Sequence, residues 1–542
     1  MAAEQPTRQT SRQVMRSTAI VIVAFAVAKA ISLAQTFIIT GVFGLSSEWG
    51  AFVSANRVPE LIFTLIAGGA LAYAFIPIFS GFLARGDTPG AWRTASHVIN
   101  TIFCATLVAS ILAFLAAPWL VANVVSPGFP PDVQAQTVEL MRILLVSTLI
   151  FSVSGIVMGI LQSFNHFLLP ALAPIMFDMG ILIGVISLLE PFGVRGIALG
   201  AVLGAAMHLL IQIPGLIRFR ARWLPELGLR DPNLRRVIRL MLPRIGGLGV
   251  FSFNFIVMNN IASRLGENAV AALDWGWRLM QIPETLIGTA MGTVIFPLLA
   301  ALSEQHDEQG KRTAMSGALR FILIATIPSA IGMILIGRPL ISLLERGAFD
   351  SSASDLVYST LQFFTLGLIT HSLLEIVARS FYADKDTMTP LWAALGGAAI
   401  NLALSIGLTG VNPFDPASSG VQSSVGLLAL ANSFGVGFEV VVLLVVLRRR
   451  WHSIEESSLA RTIAKTLAAS LVMGLVVVVV NTLWAAAGLT ERGIVWTVLH
   501  LVVGVGAGGL AFVATAWVLK MEELRVILNT IFRRRQLTEA PA

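Results

Sequence analysis

Long apolar stretches, cut at intervals by Gly/Pro breaks and short charged clusters, dominate the chain from end to end. Residues 387–414 and 466–489 carry no charged side chain. Both runs exceed the roughly 20 residues a bilayer-spanning helix needs. Cutting at the polar and Gly/Pro breaks predicts fourteen helices: 17–41, 50–83, 93–120, 135–162, 168–188, 195–217, 237–262, 268–302, 314–337, 354–382, 388–409, 421–447, 460–483 and 493–519. The first follows a basic segment, as a signal peptide would, but its apolar run continues beyond the small residues of AVAKA to Gly41. That is too long for an ordinary h-region, so it reads as an uncleaved first helix.

Composition agrees with this pattern. Of 542 residues, 56% are hydrophobic and 12% charged, against about 25% charged in soluble domains. The fold class expected is therefore an all-α polytopic membrane protein. The net charge of +7 does not point to nucleic acid, because no basic domain stands apart from the apolar runs. Instead, alternate loops hold 23 basic residues and the opposite loops 5, which places both termini in the cytoplasm. The densest cluster, RFRARWLPELGLRDPNLRRVIR at 218–239, is expected to meet anionic membrane lipids. Cys104 is the single cysteine, which excludes an intrachain disulfide.

An internal repeat organises the helices. GGALAYAFIP (68–77) matches GTAMGTVIFP (288–297), and their prolines, Pro77 and Pro297, stand 220 residues apart. FNHFLLP and DKDTMTP end at Pro170 and Pro390, again 220 apart. RVPE (57–60) and RLMQIPE (278–284) both place Arg shortly before Pro-Glu. Two parallel six-helix repeats plus two C-terminal helices follow. The expected layout is an N-terminal tail 1–16, an N-lobe 17–217, a basic linker 218–236, a C-lobe 237–447, the last two helices with their preceding loop 448–519, and a C-terminal tail 520–542.

Charges inside apolar helices are costly and mark function. Arg278 and Arg57 occupy equivalent places in the two repeats, and a guanidinium facing a wet cavity suits phosphate oxygens. The competing reading of Arg278 is a local pair with Asp274, four residues earlier on the same helix face; the two roles can coexist. Lys29, mid-way along the first helix, cannot easily snorkel and reads as a cavity cation. Glu60 pairs with Arg57 in the simplest reading, and Glu284 is placed near a break in its helix. Arg244 reads either as a headgroup-level arginine or as a further cavity cation. Glu375 and Arg379, four apart, read as a helix-internal pair, while Asp178 and Glu439 are candidates for ion or proton coupling. There is no GxxxxGK[ST], no HExxH and no paired Cys/His pattern, so no enzyme activity, metal or cofactor is expected.

Several stretches resemble the MurJ (MviN) family of lipid II flippases. They are LLERGAFDSSASDLVYSTLQFFTLGL (343–368), ARSFYADKDTMTP (378–390), RLMQIPETLIGTAMGTVIFPLLA (278–300), PALAPIMFDMGILIG (170–184) and RVPELIFTLIAGGALAYAFIPIF (57–79). The resemblance implies a multidrug/oligosaccharidyl-lipid/polysaccharide exporter fold with a cationic cavity and a lipid-tail groove at the last two helices. It implies residence in the bacterial cytoplasmic membrane and movement of undecaprenyl-diphosphate-linked peptidoglycan precursor between leaflets, with cell-wall synthesis proteins as candidate partners. Arg278 matches the family's cavity arginine; Arg57, Lys29 and Arg244 join it as headgroup candidates. The N-lobe departs from the family pattern at Ala28-Lys29, Gln35-Thr36, Gly50, Phe63 and Gly68, where charged residues are usual. Those losses leave open another lipid-linked cargo, an ion-coupled small-molecule exporter, or a non-transporting cell-wall scaffold.

Overall fold

The structure is a computed structural model describing residues 31–66, 70–415, 417–489 and 493–521, without the side chains of 70–73, 243 and 244. Among the described residues the chain is helical, with one isolated β-bridge between Arg346 and Phe349. Among the described residues twelve helices are long and apolar enough to cross a membrane, and Ile31–Phe43 and Ala74–Ala84 are shorter apolar helices. Twelve of the fourteen expected spans thus have their helix. Of the other two expected spans, part of 17–41 and residues 67–69 of 50–83 lie outside the described residues.

Two compact units emerge. The first comprises residues 1–270 with 413–417. Its helices are α1 (Ile31–Phe43), α2 (Ser47–Ile66), α3 (Ala70–Ala84), α4 (Thr88–Leu120), α5 (Pro131–Ser163), α6 (Leu168–Ile183), α7 (Leu189–Phe192), α8 (Arg195–Leu210), α9 (Ile213–Arg218) and α10 (Pro232–Ser263). The second comprises 271–412 with 418–542. It contains α11 (Ala269–Glu284, from Ala271), α12 (Ala290–Glu304), α13 (Glu308–Ser342), α14 (Ser351–Ala383), α15 (Met388–Thr409), α16 (Val425–Trp451), α17 (Glu456–Ala486) and α18 (Ile494–Val518). The seventh expected span is α10, and it packs on α2 and α3 within the first unit.

The 220-residue register recurs in local chemistry. α4 and α13 begin at Thr88 and Glu308, each capped by an aspartate, Asp87 or Asp307, that accepts from the N–H of Gly90 or Gly310. This is ordinary N-capping, which satisfies a donor the helix leaves unpaired. α5 and α14 begin at Pro131 and Ser351 and end at Ser163 and Ala383. Just before those starts, the buried Phe129 and Phe349 donate their N–H to Ser126 O and Arg346 O. The turns after those ends pass through left-handed Asn165 and Lys385, and α6 and α15 begin at Leu168 and Met388. Beyond α15 the register is lost, because the connection between α15 and α16 is longer than that between α6 and α8.

In each unit the α6–α8 or α15–α16 pair closes on glycine. A Cβ on Gly180 would lie 2.2 Å from Gly204 Cα, and one on Gly435 would lie 2.6 Å from Gly397 O. Small residues at such seams let membrane helices approach through their backbones. α17 and α18 pack on α13. Asn481 donates to Leu335 O through its amide nitrogen and accepts from His500 Nε2 at its Oδ1 at 2.8 Å, with Trp484 stacked on the His500 ring.

The basic connection between α9 and α10 is strapped onto α4. Asn100 donates to Leu224 O and Glu226 O and accepts from Trp223 Nε1, Thr101 donates to Leu227 O, and Ser96 accepts from Leu224 N. Asp231 caps α10 through Asn233 N and meets His97 Nδ1 at 2.7 Å. The matching corner of the second unit is ionic: Lys311 and Ser303 both donate to Asp384, and Arg450 and Thr389 donate to Asp386. Burial works against ionisation of Asp231 and Asp386. The Asn233 N–H and His97 outweigh it at Asp231, and Thr389 and Arg450 outweigh it at Asp386, so both carboxyls sit below the usual aspartate range. A carboxylate with a lowered folded-state pKa adds stability above its unfolded value and loses it as pH falls through the folded one. Acid unfolding below about pH 4 is therefore expected to be shallower in Asp231→Asn/Asp386→Asn than in wild type. Thermal unfolding in detergent across that range checks it.

Candidate functional site

The span Ala269–Glu304 carries the charges singled out in the sequence. Its first part, α11, is locked against α14 by small-residue contact. Gly276 lies so close to Thr360 that a Cβ would come within 2.3 Å of its hydroxyl, and that hydroxyl donates to Ala272 O. Trp277 packs edge-on to Phe364 and His371. With that face used for packing, Arg278 projects from another: its side chain is 49% exposed, while Asp274 is 7% exposed. Arg278 Nε donates to Asp274 Oδ2 at 2.7 Å, and its guanidinium lies 5.7 Å from the Trp275 ring. The local pair read from the four-residue spacing is present, with the guanidinium half-exposed.

The helix then changes character. Glu284 ends α11, and Thr285–Thr289 form a π-helical turn before α12. The break expected near Glu284 is this π turn, a feature frequent at functional sites. Glu284 accepts from Thr289 Oγ1 at 3.3 Å. Beyond it, Gly292 leaves room for the Arg379 guanidinium, which donates to Thr293 Oγ1 and to Glu375 at 2.8 Å. Polar residues keep helical spacing on either side of the π turn, Arg278 with Gln281 in α11 and Thr289 with Thr293, whose hydroxyl donates to Thr289 O, entering α12. Sequence reasoning singled out the arginine and missed these polar pairs. The residue spacing was their only signal, and threonines are common in apolar helices.

The first unit's arginine sits differently. Arg57 in α2 is 15% exposed, lies 3.7 Å from Glu60, and stacks over Phe255 of α10 at 5.4 Å. The two arginines are equivalent in sequence but unequal in exposure, because α10 covers Arg57 and the α11 arginine projects away from its α14 contact. Asp178 is half-buried in α6, and Glu439 is half-buried in α16. Arg244 lies in α10 with its side chain outside the described residues, and Lys29 lies outside them altogether. The structure thus brings Asp274 to Arg278 and Glu60 to Arg57. Among the described residues, no group of three or more His, Cys, Asp or Glu side chains could hold a metal ion.

What this arrangement offers chemically is a fixed cation on a polar face of an apolar helix. A guanidinium presents a planar fork of donors that matches phosphate oxygens, and the Asp274 bond orients it.

Comparison with known proteins agrees on one family. The family profile described as "Lipid II flippase MurJ" matches residues 39–499. A probable lipid II flippase MurJ of Rhizobium tropici is 30% identical over 464 residues, covering 83% of this chain and 84% of the relative. The lipid II flippase MurJ of Burkholderia cenocepacia is 30% identical over 375 residues, covering 67% and 72%. Among solved structures, a lipid II flippase MurJ in an inward closed conformation superposes with a TM-score of 0.74 at 22% identity, covering 92% of this chain and 99% of that one. An inward-facing MATE family multidrug transporter of the MOP superfamily gives 0.65 at 16% identity, covering 81% and 99%, a likeness of fold. With the profile spanning most of its length, this chain belongs to the MurJ family of lipid II flippases, which are membrane transporters rather than enzymes.

Proposed function

We propose that the protein moves lipid II from the inner to the outer leaflet of the bacterial cytoplasmic membrane by alternating access. The observation that carries this reading is Arg278, a half-exposed guanidinium held by Asp274 on a membrane-length helix. The diphosphate of a lipid-linked precursor is the anion such a group suits, and Arg57, Lys29 and Arg244 join it as further contacts in this reading. The cargo's polyprenyl tail stays in hydrocarbon beside α17 and α18, whose outer faces are apolar, as at Leu471, Leu475, Val502 and Leu510. The headgroup crosses in water, avoiding the cost of drawing a charged sugar–peptide through lipid. Both termini face the cytoplasm, a reading supported by the loop charge asymmetry, and the exposed arginines of 218–239 meet anionic headgroups. Cell-wall synthesis proteins are proposed partners.

Depletion and rescue test this reading. In a bacterium whose own lipid II flippase can be switched off, expression of this protein is expected to restore growth and outer-leaflet lipid II. Absence of rescue at confirmed membrane expression, with lipid II accumulating in the inner leaflet, counts against it.

A further inference from the structure

Glu439 lies well inside α16, fourteen residues after its first residue, Val425, and twelve before its last, Trp451. At about 1.5 Å per residue, either end of the helix is roughly 18–21 Å away, beyond the reach of a glutamate side chain. Other carboxylates in the apolar helices have partners: Asp274 has Arg278, Glu375 has Arg379, Glu60 has Arg57, and Glu284 accepts from Thr289. Glu439 is half-buried and makes no hydrogen bond or ion pair among the described residues.

Its surroundings explain the isolation. Glu439 sits on the glycine seam of α15 and α16, its Cβ 3.5 Å from where a Cβ of Gly397 would stand. α15 carries no ionisable residue at all. On α14, His371 is engaged with Asn432, Glu375 with Arg379, and Asp355 with Arg338. On α13, Lys311 is engaged with Asp384, Arg320 with Glu455 and Ser458, and Arg338 with Glu345 and Asp355; Glu308 and Arg312 stand at its N-terminal end. On α16 itself, Arg448, Arg449 and Arg450 lie in the last turn.

An ionised carboxylate without a cation in hydrocarbon is costly, and taking up a proton removes the charge. A bound cation would remove it too, but hard cations need several oxygen ligands, and among the described residues no group of three or more His, Cys, Asp or Glu side chains stands there to supply them. We propose that Glu439 is a proton-binding site that couples cargo movement to proton movement. A carboxylate oxygen takes a proton from water in one access state, carries it as a neutral acid, and returns it to water in the other. The coupling half rests on the transport reading above; the proton site does not.

Two readouts separate them. Infrared pH-difference spectroscopy of the protein in nanodiscs is expected to show a protonated-carboxyl band near neutrality in wild type. The band should vanish in Glu439→Gln and persist, shifted, in Glu439→Asp, which keeps an acid at the seam should the amide fold poorly. In vesicles, an imposed pH gradient is expected to change the wild-type lipid II flipping rate several-fold and leave the Glu439→Gln rate unaltered. A band that survives Glu439→Gln overturns the proton site. Loss of the band with the gradient response intact overturns the coupling. Wild type that flips no lipid II under any gradient, with the band present, overturns the transport reading instead.

Discussion

Arg278→Ala is expected to lower stability and transport together, and Asp274→Asn/Arg278→Ala to restore the first without the second. Asp274 is 7% exposed and has Arg278 Nε at 2.7 Å. Removing one partner of a buried pair costs about 3–5 kcal/mol, much of it the charge left behind. Half-exposure of the arginine places Arg278→Ala at the low end of that range, because water already screens its outer face. Asparagine at 274 removes the stranded charge, so the double variant should unfold near the wild-type temperature. Transport answers differently if the guanidinium also binds cargo. A charge-assisted hydrogen bond contributes about 1.5–3 kcal/mol, which is roughly a 10- to 100-fold loss of flipping in both variants. Arg278→Lys keeps the charge without the planar fork and should fall between. Flipping by the double variant at the wild-type rate would leave Arg278 as the structural partner of Asp274 alone.

The second large effect is expected at the seam of α6 and α8. A Cβ on Gly200 would stand 2.6 Å from Gly184 Cα and 2.8 Å from Gly180 O, both backbone atoms. Backbone cannot rotate away as a side chain can, so the helices must part. Gly200→Val should therefore destabilise the protein by about 3 kcal/mol, the upper part of the usual overpacking range. Gly506 in α18 has nothing within 4 Å of its would-be Cβ. Gly506→Ala should be neutral or stabilising by up to about 1 kcal/mol, through helix propensity alone. Thermal unfolding in detergent compares the two; similar melting temperatures would contradict the seam.

Much of this architecture is visible in residue order, for physical reasons. Apolar runs end where charge or Gly/Pro chemistry ends them. The expected 388–409 coincides with Met388–Thr409, and 195–217 differs by one residue from Arg195–Arg218. The repeat is readable because its turns use repeated chemistry, Asp-x-x-Gly caps and helix-starting prolines, that survives where apolar residues drift. Asp274–Arg278 is readable because four residues return a helix to one face. The π turns at Val121–Val125, Gly184–Leu188 and Thr285–Thr289 leave no sequence signature, since one extra residue per turn changes no residue type. The unequal exposure of Arg57 and Arg278 depends on α10 covering α2, a tertiary contact invisible to periodicity. The strap of 222–231 on α4 depends on Asn100, a residue that looks like an isolated polar intrusion until its partners are placed.

The most direct measurement is flipping by the purified protein alone. Vesicles are reconstituted with it and with lipid II carrying a headgroup label that a membrane-impermeant reagent can destroy from outside. The account predicts that the protected, inner-leaflet fraction becomes accessible at a rate rising with the amount of wild-type protein, and that Asp274→Asn/Arg278→Ala slows this at unchanged fold and insertion. Label that stays protected at every amount of folded, inserted wild-type protein, under membrane potential and under ion gradients alike, would contradict the assignment of this chain as a lipid II flippase.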